Sequence, residues 1–150
     1  MSASRKKWGI IRILIGIFVI IHMGLSLFGC IDDYTIYFFR PGDMPEGGQI
    51  LEKTVGNCGV LNLIIGAASL LFLFLNRRKF YITGFWLRLA SGIVSFAEPG
   101  IQEFIDSSIM DGLARHEWQF TPQGYVAQVI ALGLVVAFAG MAFLKSGEWK

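Results

Sequence analysis

Two cysteines, two histidines and four prolines are all that 150 residues supply of those types, and only 16% of the chain is charged. Each scarcity excludes something. Neither Cys30 nor Cys58 belongs to a Cys-x-x-Cys pair, which argues against a dithiol redox centre. No cysteine-rich iron–sulfur signature, zinc-ligand cluster, phosphate loop or nucleophile elbow occurs. A bis-histidine haem needs two axial imidazoles inside the apolar segments, and His22 stands there alone, because His116 falls in a polar connection. No long polar tail, low-complexity tract or repeat is left to build a separate soluble domain, so the whole of 1–150 reads as one unit.

What the chain has is apolar surface. Hydrophobic residues make up 54%, well above the balance of soluble domains. Four stretches, about 8–29, 59–75, 80–97 and 123–144, approach the ~20 apolar residues that cross a bilayer as a helix. Each would close its backbone hydrogen bonds within itself, as lipid exposure demands. The expected fold is an all-α membrane protein, an antiparallel bundle of four transmembrane helices with connections at 30–58 and 98–122.

The charges sort by connection. Arg5, Lys6, Lys7, Arg12, Arg77, Arg78, Lys79, Lys145 and Lys150 flank one set of helix ends. Ten of the eleven acidic residues lie in the two longer connections: Asp32, Asp33, Asp43, Glu46, Glu52, Glu98, Glu103, Asp106, Asp111 and Glu117. Lysine and arginine in short loops are retained in the cytoplasm. Both termini are therefore expected inside, with the acidic connections outside, in a multi-pass protein of a cell membrane of the bacterial inner-membrane kind. The net charge of +2 reflects those inner flanks and gives no footing for nucleic-acid binding. Trp8, Tyr81 and Trp149 would anchor the inner boundary, and Tyr34, Tyr37, Trp118 and Tyr125 the outer one.

A lipoprotein signal ending at Cys30 is a competing reading of the first thirty residues. Phe28 is too bulky for the position two before such a cysteine, and the apolar run exceeds a usual signal core. The first stretch is thus expected to remain as helix 1. Cys30 and Cys58 bracket the first outer connection, where an oxidising exterior permits a disulfide; two small apolar thiols in lipid are the alternative.

Asn76-Arg77-Arg78-Lys79 is short enough to join helices 2 and 3 as a hairpin. In 98–116, Ile101, Phe104, Ile105, Ser108, Ile109 and Leu113 recur near helical spacing. That pattern predicts an amphipathic helix on the outer surface, broken from helix 3 at Pro99-Gly100. Tyr34-Thr35-Ile36-Tyr37-Phe38-Phe39 fits either a strand or a segment dipping into the interface.

Inside the helices, small and polar residues fall in stripes. Helix 3 carries Gly84, Arg88, Ser91, Ser95 and Glu98 on one face; helix 2 carries Gly59, Asn62, Gly66 and Ser69. Helix 1 offers Arg12, Gly16, Val19, His22 or Met23, and Ser26; helix 4 offers Gln128 near Gly124 and Ala131. Such stripes are ordinary packing seams, but an ionisable group at mid-membrane costs at least ~2.5 kcal/mol and usually faces a partner or cavity. His22, Asn62, Arg88, Ser95, Glu98 and Gln128 are the candidate pocket if the seams converge. No metal or catalytic residue is assigned, and no cofactor is required, although a quinone or lipid would suit such a pocket.

Arg12-Ile13-Leu14-Ile15-Gly16-Ile17-Phe18 with Gly24, and Leu63-Ile64-Ile65-Gly66, resemble the first and second helices of small bacterial DoxX-like proteins. The resemblance implies four helices with both ends inside, and an accessory or quinone-linked part in membrane redox systems. The long acidic connections depart from that pattern, and no catalytic residue carries over. Two functions are therefore expected. One is an accessory subunit docking a membrane or extracytoplasmic protein, or a second copy, through 31–57 and 98–116. The other is a ligand-binding bundle for a small lipophilic or quinone-like molecule, in redox chemistry or transport.

Overall fold

The computed structural model describes residues 3–39, 48–109 and 122–144. Four helices account for nearly all of them: α1 (Ala3–Phe39), α2 (Gly48–Leu75), α3 (Arg78–Ile109) and α4 (Pro122–Phe143). Among the described residues there is no strand. Three of these helices contain stretches long and apolar enough to cross a membrane, Lys7–Ile31, Asn57–Leu75 and Val126–Phe143. In its described part, α3 carries Arg78, Lys79 and Arg88 among its apolar residues.

Two expectations are corrected. The segment Tyr34–Phe39 is not a strand, because α1 continues through it. Tyr34 Oη donates to Asn57 Oδ1 at 2.7 Å, tying this extension to the start of the α2 apolar stretch. Pro99-Gly100 does not end α3 either, which runs on to Ile109. A proline removes one backbone donor and crowds the preceding turn, and α3 nevertheless carries its helical backbone through this one. The separate surface helix over 98–116 is thus, as far as Ile109, an extension of α3. Its side chains, and residues 110–121, lie outside the described residues.

The tight connection between α2 and α3 has a local cause. Asn76 adopts φ 49°, the left-handed conformation that asparagine tolerates better than most side chains. Its N–H donates to Phe72 O at 3.0 Å, closing the last turn of α2, and Tyr81 Oη donates to Asn76 Oδ1 at 2.9 Å. Two residues later α3 begins. Pro122 opens α4 at the position where a missing N–H costs nothing.

Helix contacts run α1 with α2, α2 with α3, α3 with α4, and α1 with α4. Along α1 and α2 the close approaches pair Gly16 with Leu73, Met23 with Gly66, and Cys30 with Gly59. Each step of seven up one helix is a step of seven down the other, the seam spacing of coiled coils. A Cβ on Gly59 would lie 3.1 Å from Cys30 Cβ, and one on Gly66 would overlap Met23. Between α3 and α4 the tight point is Gly84, where a Cβ would fall 2.5 Å from the Phe138 ring. These glycines let the helices approach where a larger side chain would hold them apart.

Burial is inverted relative to a water-soluble protein. Phe74 is 83% exposed, and Phe28, Leu144, Val136 and Val129 are nearly as open. The interior holds Ile15, Val19, Leu73, Tyr81, Leu134, Phe138 and Met141 together with His22, Ser69, Arg88 and Ser91. Large apolar side chains outside and polar ones inside fit lipid as the surrounding solvent.

Candidate functional site

The polar interior groups come together where α1, α2 and α3 meet. Arg88 extends from the Gly84–Arg88–Ser91 face of α3 and is 2% exposed. Its Nε donates to Ser69 Oγ on α2 at 3.0 Å. Ser69 in turn donates its hydroxyl proton to Ile65 O at 2.7 Å. The serine is thereby fixed as an acceptor for the guanidinium. Arg88 Nη1 lies 3.3 Å from His22 Nδ1 on α1. A guanidinium has only donors, so this contact uses the Nδ1 lone pair, and the His22 proton sits on Nε2. His22 is uncharged in this arrangement. One turn further along α3, Ser91 Oγ donates to Asn62 Oδ1. Among the described residues, Arg88 Nη2 is the one buried side-chain nitrogen or oxygen without a hydrogen-bond partner.

Local sequence places each participant. On α3, positions 81, 84, 88 and 91 are all buried, and their spacings of three and four define one helical face. On α2 the buried positions 65, 69 and 73 do the same, and on α1 positions 15, 19, 22 and 30. Helix 1 resolves the alternative at 22 and 23 in favour of His22. Met23 instead covers Gly66.

Of the six residues expected to line a pocket, the structure brings together His22 and Arg88, with Asn62 bonded to Ser91 alongside. Gln128 lies half-buried on α4 and takes no part in these bonds. Ser95 and Glu98 ride on the continuation of α3, and their side chains fall outside the described residues. Sequence reasoning put Ser69 and Ser91 on the seams but left them out of the pocket. Their spacing from Gly66 and Arg88 was the available signal. The partners that Arg88 meets are a hydroxyl and an imidazole, not a carboxylate.

Cys30 is buried and Cys58 half-buried at the α1–α2 approach around Gly59. No group of three or more His, Cys, Asp or Glu able to hold a metal occurs among the described residues. The acidic connections expected to dock a partner have their carboxylate side chains outside the described residues. At the opposite ends of α3 and α4, Arg78 Nε donates to Ala142 O at 3.2 Å, setting a cation on the carbonyl end of α4, where the helix dipole favours it. The family models, the curated proteins and the solved structures contain no match to this chain.

Proposed function

We propose that this chain is a multi-pass protein of the cell membrane. Its four helices cross as an antiparallel bundle with both termini inside, and the seam at Arg88 holds a small lipophilic molecule through an acceptor oxygen. One observation carries the reading: a guanidinium buried among three helices keeps Nη2 without a partner. Buried polar groups are nearly always hydrogen-bonded, and ionisable groups inside a membrane usually mark a substrate or ion path. The antiparallel order is supported by the descending pairing of Gly16, Met23 and Cys30 with Leu73, Gly66 and Gly59. The placement of lysine and arginine supports the orientation.

Arg88 lies ten residues from Arg78, about 15 Å along α3. In a hydrocarbon core ~30 Å thick that is near the middle. A headgroup would not reach that depth, whereas a lipophilic molecule carrying a carbonyl or carboxyl oxygen would. The resemblance to DoxX-like proteins implies a place in membrane redox systems, and docking of a partner through the acidic connections is compatible with such a site.

The test is retention. Wild-type protein and Arg88→Gln are purified in mild detergent, and co-purifying small molecules are identified by mass spectrometry. The proposal expects one lipophilic species held by the wild type and depleted in the variant. Equal recovery from both, or nothing retained by either, contradicts it.

A further inference from the structure

We infer that the group received by Arg88 is a monovalent anion, such as the carboxylate of an amphiphile or a free halide, rather than a neutral carbonyl. This inference rests on the proposed ligand site and specifies its chemistry.

The site is short of negative charge. Ser69 and His22 supply Arg88 with acceptors but no negative charge, since the serine is a hydroxyl and the imidazole presents a lone pair while keeping its other proton. Among the described residues the seam therefore holds one positive charge with no negative partner. Protein interiors and lipid tolerate a buried ion when it is paired, and an unpaired one is strongly unfavourable.

The helices bring no carboxylate to it. Along α1 the nearest acid, Asp32, stands ten residues from His22, about 15 Å along the axis. Along α2, Glu52 is seventeen residues from Ser69, about 26 Å away. Glu98 on α3 is ten residues above Arg88, again about 15 Å. The guanidinium, moreover, is drawn the other way. Helices α2 and α3 pair Asn62 with Ser91 and Phe72 with Gly84, so Ser69 lies on the Gly84 side of Arg88. Helix α4 contains no acidic residue at all. A ligand bringing its own negative charge would supply both what the site lacks in charge and what Nη2 lacks in hydrogen bonding. Charge-assisted bonds of this kind are about twice as strong as neutral ones.

Binding is measured by calorimetry on the full chain in neutral detergent, with four probes: a long-chain fatty acid at a pH where it is ionised, its methyl ester, a short-tailed quinone, and chloride exchanged against gluconate. The acid and ester differ only in charge and one methyl group, so that comparison in the wild type needs no variant. The inference expects the acid or chloride to bind, and the ester and quinone to be weaker by at least tenfold. Chloride binding that competes with the acid assigns the site to free anions; acid binding indifferent to chloride assigns it to the amphiphile. Arg88→Gln should weaken the anion by roughly 30-fold or more, the consequence of truncating one partner of a buried charge pair, and Arg88→Lys should recover part of it. Should Arg88→Gln fail to fold, the acid–ester difference in wild type decides. Equal binding of acid and ester, or Arg88-dependent binding of the quinone alone, overturns the anion and leaves the ligand site standing. Failure of all four probes to bind overturns both.

Discussion

Gly84 is where the packing can be tested hardest. An added methyl at this position would lie 2.5 Å from both Cδ1 and Cε1 of Phe138, and 3.2 Å from Phe72 Cδ2. Phe138 has no room to retreat: its side chain is fully buried and its ring sits against Tyr81 at 6.0 Å between centroids. Either the ring leaves its rotamer or α3 and α4 separate, and overpacking of this kind costs about 1–3 kcal/mol. Phe138→Leu alone leaves a partly filled void and should cost on the order of 1–2 kcal/mol, less than full truncation to alanine. Together the two changes relieve each other, because the smaller side chain vacates the space the methyl needs. A double-mutant cycle, read from reversible unfolding in mixed micelles, should give a favourable coupling on the order of 1 kcal/mol or more. Gly84→Ala at no measurable cost, or two costs that add to within about 0.3–0.5 kcal/mol, would refute the close approach of α3 and α4 at this level.

The other predictions are independent of that contact. Asn76→Ala should destabilise the hairpin by about 1–2 kcal/mol because its backbone is left-handed, whereas Asn76→Gly should keep that conformation without strain and cost less; thermal unfolding of the two variants separates the backbone term from the loss of the side chain. A cycle over Ser91→Ala and Asn62→Ala should return a coupling of roughly 0.6 kcal/mol, the usual worth of a hydrogen bond between membrane helices, and unfolding in mixed micelles would detect its absence. Arg88→Leu, which removes the buried cation without shortening the seam greatly, should leave the helical circular dichroism intact while abolishing ligand retention. A loss of helicity would make Arg88 a folding residue instead.

How far the sequence reveals this molecule depends on contrast within each helix. In α2 and α3 the small and polar residues stand out against leucine, isoleucine and phenylalanine, so the buried faces at Gly66–Ser69 and Gly84–Arg88–Ser91 are legible from spacing alone. In α4 almost every residue is apolar, and nothing distinguishes the buried Leu134, Phe138 and Met141 from the exposed Val129 and Val136. Gln128 stands out there as the polar side chain within the apolar run and takes no part in the network. The partners of Arg88 were hidden for another reason. A long, flexible side chain bridges helices, and helical spacing says which face it leaves from but not where its end goes. Local rules misled at Pro99-Gly100 and at Tyr34–Phe39. Turn and strand propensities are weak priors, which a helix already formed on one side of such a segment can override.

The proposed fourfold crossing, which would set Arg88 near mid-membrane, puts positions 43 and 79 on opposite sides of the bilayer. In a background of Cys30→Ser and Cys58→Ser, Asp43→Cys and Lys79→Cys are made singly and exposed, on intact cells, to a thiol reagent that cannot cross the membrane. Modification at position 43, with position 79 protected until the cells are opened, is the predicted result. The reverse pattern, or equal modification of both, would contradict the arrangement.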